Sequence, residues 1–419
     1  MDEPIVVGID IGTTKICTLV AREESPGQLR ILGVGIEPSE GIRKGTVVDL
    51  TAASQAVARS IDKAERSSGL EINSALVSMA GSNVSSVNSR GVVGVTGRVI
   101  DQDDVARAVD AARAVAIPHN REIIHVIQRG FDIDGQTGIR MPVGMHGYRL
   151  EVECHIITAS AASVENLRQS VATAGVDVSQ FVLNPLASAE VVVNETERQM
   201  GVVVCDICGG TTDMAIYIDG DVWHTAVLAV GGNHITSDIA HGLRLPMSQA
   251  EEIKIQHGHA DPRALNTEEF FTVRPFGEQE AVQVSRQDLV HIINARVEEI
   301  FSLVVQEIKR SGYDGLLPAG MVLTGGCSAI SGIRTVASSI LGVPVRIARP
   351  ENLIGMVDRL DSPAFSTSVG LLRWALLFRE VNHKAARRGN ISSRQGGGAG
   401  SSGPMNIDKI KSWLRRLLP

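Results

Sequence analysis

Short, unbroken apolar runs recur in the same order in both halves of the chain. Ile5–Ile9, Ile16–Ala21 and Leu29–Ile36 read as three successive strands, and Val202–Cys205, Met214–Ile218 and Thr225–Val230 repeat them later. Runs that do not alternate with polar residues belong to strands covered on both faces. A helix is predicted from about Asp49 to Ser68, with Ala53, Val57, Ile61 and Ala64 on one face and Gly69 as its stop. Residues 75–80 make another strand. Self-similarity of this kind predicts a duplicated α/β domain with a cleft between the copies.

Two segments break the repeat. Residues 84–158, with a helix at Asp103–Ala116 and strands at Ile123–Arg129 and Tyr148–Ile157, read as a small α+β insert. Residues 236–312 carry two helices, Ser248–His257 and Ser285–Arg310. Beyond Glu380 the composition changes: Lys384–Gly403 is rich in Arg, Gly and Ser, as a flexible linker is. In a helix over residues 405–419, Ile407, Ile410, Trp413, Leu414, Leu417 and Leu418 share one face. Lys409, Lys411, Arg415 and Arg416 lie on or beside the other. That is the pattern of a helix lying in a membrane interface. One such helix holds weakly, so stable attachment calls for several copies acting together.

Composition narrows the class. The 419 residues exceed one ordinary core, so two or more domains are expected. Aromatics make up only 3%, which leaves Val, Ile, Ala and Gly to fill the interior. A net charge of −7 argues against bulk nucleic-acid binding. No secretory leader is expected from the acidic Met1-Asp2-Glu3-Pro4, and no run nears the roughly 20 apolar residues of a membrane-spanning helix. Five cysteines without framework spacing suit a reduced compartment. Cys205-x-x-Cys208 lacks a second pair, and Cys205 lies in an apolar run, so it reads as a core thiol. His257 and His259 have no evident third metal ligand.

The chemistry concentrates at a repeated phrase, Gly8–Lys15 and Asp206–Asp213. In each, a buried strand reaches an aspartate, turns on glycine and hydroxyl residues, and returns as a strand. Such a turn exposes backbone N–H groups to a phosphate. Gly12, Thr13, Thr14 and Lys15 in one turn, and Gly209, Gly210, Thr211 and Thr212 in the other, would clamp a polyphosphate from both sides. Asp10 and Asp206 are placed to hold a hydrated Mg2+, and with Asp213 they are the candidate catalytic carboxylates. Lys15 either reaches a phosphate or points to solvent. In a third turn, Thr324-Gly325-Gly326-Cys327-Ser328, a strand leads into a helix, and Gly325, Gly326 and Ser328 would admit a base or ribose. Glu251 and Lys254 share a helix face suited to ribose and adenine, although Ser248–Glu251 also matches a capping box.

Strands in this order and then a helix make a ribonuclease-H-like core, and these motifs in this sequence resemble the actin, hexokinase and heat-shock chaperone superfamily. Leu183–Glu190 and Pro363–Leu371 stand where its two connecting helices are. Within it the chain resembles the FtsA family of bacterial cell-division actin homologues. The likeness rests on Asp10-Ile-Gly-Thr-Thr-Lys15, on Ala250-Glu-Glu-Ile-Lys254 before Gly258, on the insert, and on the terminal amphipathic helix. It implies subdomain IA at 1–83, 159–195 and 355–385, IC at 84–158, IIA at 196–235 and 313–354, and IIB at 236–312. A linker at 386–404 and a membrane helix at 405–419 would complete the chain. It further implies binding of ATP with Mg2+, actin-like filaments, and attachment to inner-membrane lipids on the cytoplasmic face at the division site. The family also tethers the C-terminal tail of FtsZ and recruits other division proteins. Arg296 and Glu299 fall at the positions where that tail docks. Two departures stand out: Asn184 where family members commonly have glutamate, and Cys208 in place of a turn glycine. Asparagine is no base, so ATP is expected to act as an assembly ligand, with turnover slow at most. The alternatives are an actin-like ATPase of pilus assembly and a small-molecule kinase of the hexokinase-like branch.

Overall fold

The computed structural model describes residues 5–389, except 26–27, 98, 115–116, 266–268 and 279, with side chains described as far as Leu377. In the first sheet Ile5–Ile11, Lys15–Ser25 and Gln28–Pro38 form an antiparallel meander. Ser74–Met79 and Asp177–Leu183 extend it in parallel on one side, and Leu353–Gly355 on the other. The second sheet repeats the plan. Val202–Ile207, Thr212–Ile218 and Asp221–Leu228 form the meander, and Met321–Thr324 and Val345–Ile347 extend it in parallel. Strand Val202–Ile207 shows why its apolar run is unbroken. Val202 and Val204 enter the core shared by both sheets, while Val203, Cys205 and Ile207 enter a second core under the neighbouring helices. This mixed-sheet duplication is the actin-like ATPase fold.

Local chemistry sets the element ends. Helix Leu50–Ser68 starts where the Asp49 carboxylate accepts from the Ala52 N–H at 3.0 Å, and it stops at Gly69 in the left-handed region. The insert's helix is Gln102–Arg113, and it starts one residue ahead of the predicted Asp103 because Asp101 and Asp104 form a reciprocal capping box there. It packs on an antiparallel sheet of Ser85–Gly94, Arg149–Ser160, Arg121–Ile133 and Gln136–Ile139. The third strand of the second meander begins at Asp221, ahead of the predicted Thr225, because Asp219 and Gly220 both take positive φ and turn the chain there. Helix Met247–His257 is capped by Pro246, without a side-chain bond, so the capping box expected at Ser248 does not form.

Two helices join the halves. Asn184–Val192 and Ser366–Gly389 cross between the sheets, and their apolar residues build one core with both. At the crossing a Cβ on Gly370 would lie 1.9 Å from the Ala187 carbonyl oxygen, so only glycine lets the backbones pass. The second helix runs to Gly389 and takes in 386–389 of the expected linker, because Ala385, Ala386, Arg387 and Arg388 are strong helix formers. The rest of that linker and the proposed membrane helix, with Ile407, Lys409, Ile410, Trp413, Leu414, Arg415, Arg416, Leu417 and Leu418, lie outside the described residues. Among the described residues no helix is long and apolar enough to cross a membrane.

Gly370→Ala is expected to lower the unfolding free energy by about 2 kcal/mol or more, since the extra methyl must push two packed helices apart. Gly94→Ala, where a Cβ meets nothing within 4 Å, serves as the control and should leave the urea midpoint unchanged.

Candidate functional site

The two glycine turns, Gly12–Lys15 and Cys208–Thr211, close in the same way. The Gly12 N–H donates to the Lys15 carbonyl at 3.0 Å, and the Cys208 N–H to the Thr211 carbonyl at 3.0 Å. Strand pairing resumes at Ile11–Ile16 and Ile207–Thr212. Asp10 therefore matches Asp206, Gly12 matches Cys208, and Thr13-Thr14 match Gly209-Gly210. The Gly-Thr-Thr letters common to both stretches do not superpose; they are offset by two places. The turns meet tip to tip. A Cβ on Gly209 would lie 2.1 Å from Thr14 Oγ1, and one on Gly210 would lie 2.5 Å from Thr13 Oγ1. Threonines on one side interlock with glycines on the other.

A cleft of about 310 Å3 opens behind this contact, within the usual range for a small-molecule site. Asp10, Gly12, Thr13, Thr14, Lys15, Asp206, Gly209, Thr211, Glu251, Lys254 and Gly326 all reach its wall. Gly210, Thr212, Gly325 and Ser328 do not. The Thr212 hydroxyl donates to the Val230 carbonyl at 2.8 Å. The Ser328 hydroxyl donates to the Gly325 carbonyl at 2.7 Å and is wholly buried. Gly325, with φ of 85°, turns against the Asp206 carboxylate. Beyond Gly325 the chain makes a short 3-10 turn, Gly326–Ala329, and the α-helix begins only at Ile333, so the expected helix terminus stands further from the glycines. Lys15 does not point to solvent: its ammonium donates to the Ala364 carbonyl and lies 4.6 Å from the Phe365 ring centre.

Both turn aspartates are buried, and both are held by hydroxyls. Asp10 Oδ1 accepts from Ser78 Oγ at 2.9 Å and Oδ2 from Ser368 Oγ at 2.6 Å. Asp206 Oδ2 accepts from Thr367 Oγ1 at 2.9 Å, and Oδ1 from the Cys208 thiol at 3.1 Å. Ser366 Oγ lies 2.6 Å from Thr324 Oγ1 of the third turn. Ser366, Thr367 and Ser368, at the start of one helix, thus touch all three turns. Reading the sequence missed them; the available signal was three hydroxyls in a row opening an otherwise apolar, buried helix.

Asp213 is fully buried beside them. Its Oδ2 accepts from Thr211 Oγ1 at 3.2 Å and from Asn184 Nδ2 at 3.4 Å. Asp213 Oδ1 and Asn184 Oδ1 are buried without a hydrogen-bond partner among the described residues. Burial, and then the neighbouring Asp206, push the Asp213 carboxyl well above the ordinary range. Burial also raises Asp206, against the opposing hydrogen bonds from Cys208 and Thr367. Crowded buried carboxylates, one of them with an unpartnered oxygen, suit a cation bound through water. No group of three or more His, Cys, Asp or Glu among the described residues could ligate a metal directly, so waters and phosphates would complete any Mg2+ shell.

On the far wall Lys254 Nζ donates to Glu251 Oε2 at 2.7 Å and to Thr236 Oγ1 at 2.8 Å. Glu251 therefore serves the cleft wall and not the helix end. Asn233 and Ile255, absent from the sequence reading, also line the cleft. Cys205 is a buried core thiol, and Cys208 stands on the cleft wall. Away from the cleft, Arg296 grips Asp238 through two nitrogens at 2.6 and 2.9 Å and bonds Glu299 at 2.5 Å.

A duplicated actin-like core with opposed phosphate turns defines a protein of the actin-like ATPase class. Solved structures agree on the fold. A PilM–PilN type IV pilus biogenesis complex matches with a TM-score of 0.64 at 16% identity, over 88% of this chain and 98% of the other. MreB 5 of Spiroplasma citri bound to AMPPNP matches with a TM-score of 0.58 at 15% identity, over 93% and 100%. The family profile for cell division protein FtsA matches residues 203–370, and that for the SHS2 domain inserted in FtsA matches 81–158. Cell division protein FtsA of Pseudomonas aeruginosa is 41% identical over 89% of each chain. That of Neisseria meningitidis is 37% identical over 97% of each. The chain belongs to the FtsA family.

Asp213 also leaves a thermodynamic signature. The unfolded chain loses this proton near the ordinary 3.8 and the folded protein at higher pH, so between the two the folded state binds more protons. Nucleotide-free stability should therefore fall as pH rises above 3.8 through the folded value. Asp213→Asn should remove that component and raise the urea midpoint at neutral pH, whereas an unchanged pH profile in the variant would contradict the assignment.

Proposed function

We propose that this actin-like cell division protein binds ATP with Mg2+ between its two phosphate turns and uses the nucleotide chiefly to govern assembly. The observation that carries the reading is the convergence of both turns, the third turn and the Glu251–Lys254 pair on one cleft. Backbone amides of Thr13–Lys15 and Gly209–Thr211 would take the phosphates, since those of Gly12 and Cys208 close the turns themselves. Asp10 and Asp206 would hold the waters of Mg2+, which supplies charge neutralisation of the phosphates. The residues present favour slow turnover. Asn184, at the place where a water would be activated, hydrogen-bonds Asp213 and cannot accept a proton as a base. Cys208 puts a thiol where the first turn has glycine. A kinase of the hexokinase-like branch would need a base at that place, where Asn184 stands; the acid beside it, Asp213, is fully buried and off the cleft wall.

The assembly is an actin-like filament of this chain on the cytoplasmic face of the inner membrane at the division site. Residues 405–419 anchor it to lipid, and many copies along a filament turn a weak foot into firm attachment. The helix Arg286–Ser311 presents Arg296 and Glu299 to the acidic tail of FtsZ, and other division proteins join through the insert at 84–158. Because Arg296 is already paired with Asp238 and Glu299, an incoming carboxylate must share or displace these partners. That favours a moderate affinity, in keeping with a tether that exchanges. The subdivision into IA, IC, IIA and IIB at the expected boundaries is part of this proposal.

Liposome flotation of the full chain and of a chain lacking 405–419 tests the foot: the full chain should float and the truncation should stay in the dense fraction. Vesicle binding that survives the truncation would remove the foot from the reading. In co-sedimentation, Arg296→Glu should abolish FtsZ pelleting, because the new carboxylate faces Asp238 and repels an acidic tail. Undiminished pelleting would move the docking site elsewhere.

A further inference from the structure

We propose that Thr367 and Ser368 are positioning residues that orient the two turn aspartates for the cation of a bound cation–nucleotide complex, and so tie nucleotide affinity to Mg2+. The inference rests on the reading of the cleft as a Mg2+–ATP site. Its own support lies in where these hydroxyls point. Well inside a helix a serine or threonine hydroxyl commonly turns back to a carbonyl of the preceding turn. Ser188 of the first connecting helix does so, donating to the Asn184 carbonyl at 3.0 Å. Thr367 and Ser368, in the first turn of theirs, have no such carbonyl within the helix, and they reach across to carboxylates 161 and 358 residues away in sequence. They are neighbours on one helix, yet one serves the second half of the protein and the other serves the first.

Each hydroxyl occupies one oxygen of its aspartate. Ser78 and Cys208 occupy the other oxygens, so each carboxylate has its plane fixed by donors on both sides. A carboxylate oxygen that takes one donor keeps capacity for another, and Asp10 and Asp206 both line the cleft. The remaining capacity is therefore held in a set orientation toward the space where hydrated Mg2+ would sit. Losing a partner that orients a metal-holding group commonly costs about ten-fold or more in metal affinity, and here the oriented groups are the carboxylates that would hold the waters of the cation. The two hydroxyls also set the spacing between the aspartates, since a single helical turn carries both. A cation shared between the halves meets a pair of carboxylates already in register.

The test measures binding of a fluorescent ATP analogue to the full-length protein, once with excess MgCl2 and once with EDTA. Thr367→Val keeps the side-chain shape and removes the hydroxyl, and Ser368→Ala does the same for the other aspartate. Each is expected to weaken binding about ten-fold or more in Mg2+, while leaving binding in EDTA unchanged. Thr367→Ser, which restores the donor, should recover the Mg2+-dependent gain. Wild-type affinity of both variants in Mg2+ would overturn the inference alone. An equal loss with and without Mg2+, unrescued by Thr367→Ser, would mark a purely structural role and also overturn it. Failure of the unaltered protein to bind the analogue under either condition would overturn the cleft reading and this inference together.

Discussion

Burying carboxylates is costly unless donors meet them, and this protein buries three where its halves join. Asp10 comes from one half and Asp206 and Asp213 from the other. Two of the donors that make the arrangement tolerable, Thr367 to Asp206 and Ser368 to Asp10, arrive on a single helix start, and Ser78, Cys208, Thr211 and Asn184 supply others. This one contact fixes the floor of the cleft. The strands end where they do because their last acidic residue must reach it, and the connecting helix begins where it does because it must supply it. A buried ionic cluster of this kind adds little net stability. It supplies specificity of arrangement instead, together with a demand for positive charge that a bound cation would satisfy.

The two halves share a plan and differ in chemistry. At matching places the first turn has Gly12, Thr13 and Thr14, and the second has Cys208, Gly209 and Gly210. Cys17 in the first meander pairs with Asp10, as Asp213 pairs with Asp206 in the second. Thus only the second half carries the additional acid. Threonine side chains, hydroxyl oxygens foremost, face bare glycine backbone where the turns meet, so neither turn could take the other's sequence without a clash or a gap.

The strands of the two meanders, the helix at Leu50–Ser68, the insert and the duplication were legible in the chain through local periodicity and caps, whereas the flanking strands Asp177–Leu183, Val345–Ile347 and Leu353–Gly355 were not. Unbroken runs such as Val202–Ile207 betray burial on both faces without any knowledge of what covers them. The turns were legible as paired glycine and hydroxyl turns, but their register was not: the shared Gly-Thr-Thr letters suggested one alignment, and strand pairing enforces another. Ser328 looked like a ligand residue from its neighbours in sequence and proves to brace its own turn. Ser248 looked like a cap, but Pro246 ends the preceding segment and takes that place. Thr367 and Ser368 stayed hidden for a more basic reason. Their partners lie hundreds of residues away, and no local pattern records a hydrogen bond made across the fold.

The crossing of the two connecting helices constrains how the halves can move. At Gly370 and Ala187 the helix backbones touch with no side chain between them. Surfaces in backbone contact have ridges that resist translation, whereas a point of closest approach permits a tilt. The natural motion is therefore a rocking about that point. Displacement in a rocking body grows with distance from the pivot. The interlocked turns, close to the fulcrum, would shift little while the outlying helices swing further. A small change at the turns would thus be levered outward to the surfaces of those outlying helices.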